Sequence, residues 1–337
     1  MTTSTAAPSR DHWLQALVVE TADVAVGARR VVLELPGPTR RADPGTHLDV
    51  RVPTSGGRTE LRSYSVVDSS PDGRRLALTV LRSATSRGGS VHMHSLRPGD
   101  RLTCTRPLQN FPLRVGADRY LLLAGGVGIT ALAAAARTLT RLGAEVELVY
   151  TGRSRDRMPY LGELQAELGP RLRAHVSDED GRLDVRALVE RLAAEAPQTE
   201  AYVCGPLGLL DAVVAAWAAQ GLPPTSLRYE TFGTSGRHRA QAFTVRVPAL
   251  GIAARVDAGT TVLEALQRTG GDFMYDCLKG ECGLCVLPVR EVDGVIDHRD
   301  VFLDGEQRAT GGLLCPCVSR VVAGPGGREP VLVLDVP

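Results

Sequence analysis

Over about the first 115 positions, apolar residues come in short runs: 14–19, 30–35, 47–52, 62–67, 76–81 and 100–105. Pro-Gly, Gly-Gly and Asp-Gly turns separate them. Short runs at this spacing predict an antiparallel barrel or sandwich. The pattern changes at Tyr120. An apolar run over 120–124 meets a glycine turn, then a helical period over 129–142 stopped by Gly143. Strands follow at 145–150, 174–176 and 201–204. Helices are expected over 183–192, where Val185, Leu188, Val189 and Leu192 mark one face, and over 209–219. Strand and helix in alternation mean a parallel sheet covered on both sides. The stretch 233–241 is polar and reads as a linker. Beyond it Phe243–Val247 and 253–256 are expected to pair as a hairpin, and Thr261 with Glu264 forms a capping box that opens a short helix. The expected organisation is multidomain: a β-barrel over 10–115, an α/β domain over 116–232, the linker, and a third module over 242–337.

The chain has 337 residues, 43% apolar and 23% charged, close to ordinary globular usage. Its 39 Lys+Arg and 38 Asp+Glu leave a net charge of +1. That argues against a general nucleic-acid binder, whose phosphate contacts need a basic excess. Nearly all the positive charge is arginine, because Lys279 is the only lysine. The longest apolar run starts near Tyr120 and is broken by Gly125, Gly126 and Gly128, well short of the roughly 20 residues a bilayer requires. The opening segment MTTSTAAPSRDHW lacks an apolar signal core and is expected to be a short frayed lead. A soluble, cytoplasmic, monomeric protein without membrane or nucleic-acid partners is the expectation.

Seven cysteines are too few for a disulfide scaffold at this length. Cys104 and Cys204 stand alone, while Cys277, Cys282, Cys285, Cys315 and Cys317 fall within 41 residues. Such clustering without an export signal points to a metal site in a reducing compartment. Cys277-x4-Cys282-x2-Cys285 has the ligand spacing of a plant-type [2Fe–2S] centre, with a fourth cysteine further on. Gly280 and Gly283 free the backbone to approach bridging sulfide and aim N–H groups at sulfur. Cys315 and Cys317 both qualify as the fourth ligand. A structural zinc is the competing reading, although zinc sites more often pair C-x2-C units.

Gly125-Gly126-Val127-Gly128-Ile129-Thr130 follows a strand and opens a helix, where N–H groups can face a pyrophosphate. It is not G-x-G-x-x-G, and such a turn can also serve tight packing alone. Tyr202-Val203-Cys204-Gly205-Pro206 ends a second strand, so both turns can border one crevice. Cys204 by itself reads as a buried filler. In the barrel, Arg62-Ser63-Tyr64-Ser65 places an arginine and a tyrosine on one strand face, suited to a phosphate and to stacking. Ser86-Arg87-Gly88-Gly89-Ser90 is a small basic turn fit for a phosphate nest.

Taken in order, R-x-Y-S, G-G-V-G-I-T with Y-V-C-G-P, and C-x4-C-x2-C with Cys317-Val318-Ser319-Arg320, the chain resembles the phthalate dioxygenase reductase family from about Trp13 to its C-terminus. The resemblance implies a flavin barrel, an NAD(P)-binding α/β domain and a β-grasp plant-type ferredoxin domain. It implies FMN rather than FAD, held by Arg62, Tyr64 and Ser65, with Ser65 near the reactive ring nitrogen. Arg87, Gly88, Gly89 and Ser90 would take the flavin phosphate. Gly125, Gly126, Gly128 and Thr130 match the NAD pyrophosphate turn, and Cys204, Gly205 and Pro206 the nicotinamide side. Cys317-Val318-Ser319 matches the context of the last cluster ligand, which favours Cys317 over Cys315. His298, in Ile296-Asp297-His298-Arg299-Asp300, is a structural residue on this reading.

The activity so implied is electron transfer from NADH, with NADPH second, through flavin and a [2Fe–2S] cluster to a terminal oxygenase. A Rieske-type oxygenase is the first choice and a cytochrome P450 the second. Asp178 would disfavour a 2′-phosphate, whereas Arg153 and Arg155 would favour one. From residue 240 onward 13 acidic residues face 9 basic ones, a net −4 suited to a basic docking patch. Two other readings stay open. A non-catalytic redox sensor would fail to sustain NADH-dependent reduction of an external one-electron acceptor. A free-standing flavin or quinone reductase would keep its turnover after deletion of the residues beyond Gly233.

Overall fold

A computed structural model describes residues 13–37, 39–53, 59–83, 86, 88–232, 238–324 and 327–336. The lead to residue 12, Arg87, and 233–237 of the expected linker lie outside the described residues. The chain forms two compact units, one running to Gly205 and including Ala212–Glu230, the other comprising Pro206–Asp211 and the chain from Thr231.

The first unit begins with β1 (Trp13–Ala25), β2 (Ala28–Glu34), β3 (Thr46–Pro53), β4 (Thr59–Ser69), β5 (Arg75–Leu81), α1 (Gly89–Ser95), β6 (Arg101–Thr105) and β7 (Leu108–Gln109). The order β4-β5-β2-β1-β6-β3 is closed by pairing of β3 with β4, and β7 lies beside β3. Closure removes the free edges of an antiparallel sheet. Alternation supplies the interior: Leu48, Val50 and Val52 on β3 and Leu76, Leu78 and Val80 on β5 are all buried.

The same unit continues with β8 (Arg119–Gly125), α2 (Ile129–Arg141), β9 (Glu145–Gly152), α3 (Leu161–Leu168), β10 (Leu172–Val176), α4 (Ser177–Asp180), α5 (Val185–Glu195), β11 (Glu200–Cys204), α6 (Leu207–Ala219) from Ala212 onward, and β12 (Leu227–Glu230). All five strands are parallel in the order β10-β9-β8-β11-β12. Tyr120 to Gly125 are buried without alternation, as a strand covered on both faces requires. The strand order reverses between β8 and β11, the place where ligands bind such sheets. Helix α2 packs against β9 and also against β4 of the barrel. The Thr79 hydroxyl hydrogen-bonds the Tyr160 phenol, and Val26 N donates to Asp156 O at 2.7 Å. Barrel and parallel sheet therefore form one unit.

The second unit contains β13 (Phe243–Val247), β14 (Ile252–Val256), α7 (Val262–Arg268), β15 (Leu287–Asp293), β16 (Val295–Asp297), α8 (Gly305–Thr310), β17 (Leu313–Leu314), β18 (Arg320–Val322) and β19 (Val331–Leu334). The main sheet is β14-β13-β19-β15-β17, with β13 and β19 parallel, and β16 pairs with β18. The Thr261–Glu264 capping box starts α7, whose Leu263 and Leu266 join the core with Phe243, Val245, Leu314 and Leu332. Residues 238–241 at the end of the expected linker are fastened here: Arg299 donates to His238 O at 3.2 Å, and Arg320 to Gln241 O at 3.0 Å.

Candidate functional site

In the barrel, Arg62, Tyr64 and Ser65 of β4 stand opposite Val50, Leu48 and His47 of β3. The Arg62 guanidinium pairs with Glu60 and donates to Leu61 O. A Cβ on Gly89 would lie 3.2 Å from Arg62 Cγ and 3.3 Å from its Nε. Glycine thus brings the turn before α1 against the arginine. The turn is set by Gly88 at φ +113°, whose N–H donates to Ser86 Oγ, and by Ser90 Oγ, which accepts from Ser83 N at 3.1 Å. Burial pushes the Tyr64 phenol up to about 12 against the opposing pull of Arg62, so it stays neutral and able to donate. Ser65 is 6% exposed and its hydroxyl has no hydrogen-bond partner. A buried unsatisfied hydroxyl costs about 1–3 kcal/mol. Cationic head, glycine turn, neutral phenol and waiting hydroxyl suit a phosphorylated, polar-edged aromatic cofactor.

The two glycine turns of the parallel sheet do meet. Ala124, at the end of β8, is level with Cys204 at the end of β11. A Cβ on Gly128 would fall 2.1 Å from the Cys204 carbonyl oxygen and 3.0 Å from Gly205 N. The packing function of this glycine is therefore real: it lets the start of α2 close on the end of β11. Gly126, at φ +55°, has open space around it, so its role is the turn itself. Thr130 is buried and donates to Val127 O at 2.9 Å, tightening the helix start. Cys204 is fully buried in the apolar core. Beyond β9 and β10, Arg155 grips Glu179 with contacts of 2.8–2.9 Å, and Arg153 Nε lies 3.7 Å from Asp178. Both arginines carry a carboxylate neighbour.

In the second unit all five thiols of the sequence cluster interact with one another. Cys277 interacts with Cys282, and Cys285 Sγ lies 3.3 Å from Cys317 Sγ. Among the described residues no three His, Cys, Asp or Glu side chains converge on a single-ion site; in a plant-type [2Fe–2S] centre, four thiolates serve two irons. Lys279 N and Glu281 N each reach Cys277 Sγ at 3.4 Å, and Cys317 receives a backbone N–H from Gly280. Hydrogen bonds from Cys315 and then Cys317 pull the Cys285 thiol down, and the same contacts, with burial, push Cys315 and Cys317 up. Cys315 is fully buried beside Asp300 and also reaches Cys285.

The loop around these thiols is tightly shaped. Leu278 holds φ +54° without being glycine, and Gly280 and Gly283 hold φ +75° and +73°. A Cβ on Gly283 would strike the Phe302 ring at 2.2 Å, and one on Gly280 would strike Val318 at 2.6 Å. Behind the loop, Asp300 accepts from Ser319 Oγ at 2.8 Å and faces His298 Nδ1 at 3.5 Å. His298 approaches Asp300 only at that ion-pair distance, and neither of its buried ring nitrogens has a hydrogen-bond partner. Cys282 is exposed, as are Met274, Tyr275, Leu278 and Leu284 in the same stretch of sequence, and Phe302, whose ring lies against Gly283. Sequence reasoning missed Thr231 and Glu281. The one signal for Glu281 was an acid inside the cysteine loop, and nothing local marks Thr231.

A family model for the 2Fe-2S iron-sulfur cluster binding domain matches residues 248–322. The toluene-4-sulfonate monooxygenase system reductase subunit of Comamonas testosteroni is 38% identical over 307 residues, 90% of either chain. The solved structure of phthalate dioxygenase reductase, described as modular for electron transfer from pyridine nucleotides to [2Fe-2S], superposes with a TM-score of 0.74. It covers 98% of this chain and 100% of that one at 27% identity. An intact type IV self-sufficient cytochrome P450 monooxygenase matches 96% of this chain with 41% of its own, at a TM-score of 0.65 and 32% identity. With these likenesses running from the barrel through the cysteine loop, the chain belongs to the phthalate dioxygenase reductase family of iron–sulfur oxidoreductases.

Proposed function

We propose that the protein is the NADH-dependent reductase component of an oxygenase system, with FMN in the barrel and a Rieske-type terminal oxygenase as its acceptor. The observation that carries the reading is the packing of α2 against β4. It sets the strand bearing Arg62, Tyr64 and Ser65 beside the helix that opens at the glycine turn. A flavin held there would supply two-electron hydride acceptance, and a cluster on the cysteines would supply one-electron transfer.

The residues do the positioning. Arg62 and the turn at Gly88, Gly89 and Ser90 would hold the FMN phosphate, with Arg87 in the same turn of sequence. Tyr64 would donate from its neutral phenol, and Ser65 would meet the ring edge. Gly125, Gly126, Gly128 and Thr130 would shape the pyrophosphate turn, with Cys204, Gly205 and Pro206 opposite. The carboxylates of Asp178 and Glu179, beside Arg153 and Arg155, would oppose a 2′-phosphate, which favours NADH. Cys277, Cys282, Cys285 and Cys317 would ligate the cluster. Exposed Cys282, with exposed apolar Leu278 and Leu284 in its loop and a module of net −4, would form the exit face.

A cytochrome P450 is the second acceptor, favoured by the likeness to part of a self-sufficient P450 chain. The test begins with the purified protein: its visible spectrum, the released flavin, and iron and acid-labile sulfide. One FMN, two irons and two sulfides per chain, bleached by NADH, support the reading. Zinc in place of iron, or no flavin, would overturn it. NADH-driven turnover with a Rieske oxygenase against a P450 then decides the acceptor.

A further inference from the structure

Two backbone N–H groups point at one ligand sulfur, and something must hold them there. Lys279 N and Glu281 N donate to Cys277 Sγ at 3.4 Å each. The peptide between them is fastened from outside, since Gly280 O accepts from Val301 N at 3.0 Å. The remaining fastening comes from Thr231, which is 2% exposed. Its N–H donates to Glu281 Oε1 at 2.7 Å. Its hydroxyl is shared between Glu281 Oε1 at 3.0 Å and Lys279 O at 3.3 Å. Two of the three residues whose N–H groups serve this sulfur, Lys279 and Glu281 beside Cys282, are thus the ones that Thr231 grips.

We propose that Thr231 and Glu281 form a latch that sets the reduction potential of the cluster by holding the Lys279 and Glu281 N–H groups on Cys277. Neither residue is among the candidate cluster ligands; both are positioning residues. Hydrogen bonds to a ligand sulfur stabilise the more negative, reduced centre, and outer partners of this kind tune metal sites. Loosening the latch therefore lowers the potential. Glu281 adds a second effect of opposite sign, because its carboxylate charge next to the cluster opposes reduction. Losing that charge while keeping an oxygen acceptor raises the potential.

The experiment uses full-length holoprotein with full iron and sulfide content. Each variant is titrated with a chemical reductant under a redox mediator, and cluster absorbance and circular dichroism are recorded. Reduction by dithionite makes the result independent of whether NADH or FMN is the physiological donor, so failure of the latch and failure of the proposed function are separable. Thr231→Val removes the hydroxyl and keeps the backbone N–H. It should shift the reduced-to-oxidised ratio about tenfold toward oxidised at fixed potential, as loss of one charge-assisted hydrogen bond implies, about 59 mV for a one-electron couple. Thr231→Ser should retain the parent potential, and Glu281→Gln should move it upward. Equal potentials for the parent, Thr231→Val and Thr231→Ser would overturn the latch. So would a downward shift in Glu281→Gln. If Thr231→Val loses its cluster, Thr231→Ser must keep the cluster and the parent potential; loss of the cluster or a lowered potential there would also refute the role of the hydroxyl.

Discussion

Replacing Gly128 by alanine tests the crevice between the two glycine turns. The added Cβ would sit 2.1 Å from the Cys204 carbonyl oxygen and 2.5 Å from its carbon. Ordinary contact begins near 3.4 Å, so α2 and the end of β11 must part by about 1.3 Å or distort. Both obstacles are backbone in a buried sheet, and no side chain can swing away. Overpacking of this kind costs about 1–3 kcal/mol, and at about 2–4 °C per kcal/mol for a unit of this size the Tm falls by several degrees. A misplacement of about 1 Å at a reacting site costs up to about 100-fold. We expect a rise in the KM for NADH and a slowing of flavin reduction by about 10- to 100-fold. Gly143→Ala is the control: φ is +71° with open space around it, so it lowers Tm through backbone strain of about 1–2 kcal/mol and leaves NADH kinetics alone. Stopped-flow reduction by NADH and calorimetry on both variants give the answer. A Gly128→Ala protein with parental Tm and parental KM would refute the reasoning.

Ser65→Ala removes a buried hydroxyl that lacks a partner in the protein. The flavin-free protein should keep its Tm or gain slightly, while flavin reduction by NADH slows by about tenfold; a large loss of Tm would show that the hydroxyl serves packing instead. Cys317→Ser should abolish the cluster absorbance and the two irons, whereas Cys315→Ser retains both, as read by iron assay; the reverse result would transfer the fourth ligand to Cys315. Burial pushes the Tyr64 phenol up to about 12 from its ordinary 10. Folding therefore favours its neutral form, a contribution fully present below pH 10 and lost as pH rises through 12. Chemical denaturation of the flavin-free protein between pH 9 and 12 should show a shallower alkaline loss for Tyr64→Phe; identical slopes would contradict the burial effect.

The barrel was legible because its strands alternate. All six apolar runs read from the sequence became the six barrel strands, and 76, 78 and 80 face inward as period two demands. The Thr261–Glu264 box marked its helix for the same local reason. Helix α8 carries an equally complete box, Asp304 with Gln307, yet buries no residue and so has no apolar period to notice. Strands β16 to β18 span only two or three residues each, too short for alternation to register. At the site, the cysteine spacing was readable because ligation imposes local geometry. The demand on Gly128 comes from a carbonyl 76 positions later, and the Thr231–Glu281 bond spans 50 positions. Contacts at such separations leave no trace in a short window of sequence. Arg320 is the extreme case: read as the end of C-V-S-R, it is a buried cation that donates to the carbonyls of Asp257 and Gln241 and lies 5.3 Å from the Phe243 ring centroid.

Lys279 is the only side-chain amine in this protein, and it stands between two candidate ligand cysteines with its own N–H on Cys277. Amine chemistry on the folded chain is consequently site-directed without any engineering. Apart from the amino terminus, an acylating dye, an ester cross-linker or an acetyl group can attach only at this loop. Acetylation would erase the loop's single positive charge, whereas reductive methylation would preserve it. A pair of such labelled samples separates the charge of that ammonium from its bulk, in a protein whose other 38 cations are arginines beyond the reach of the reagent.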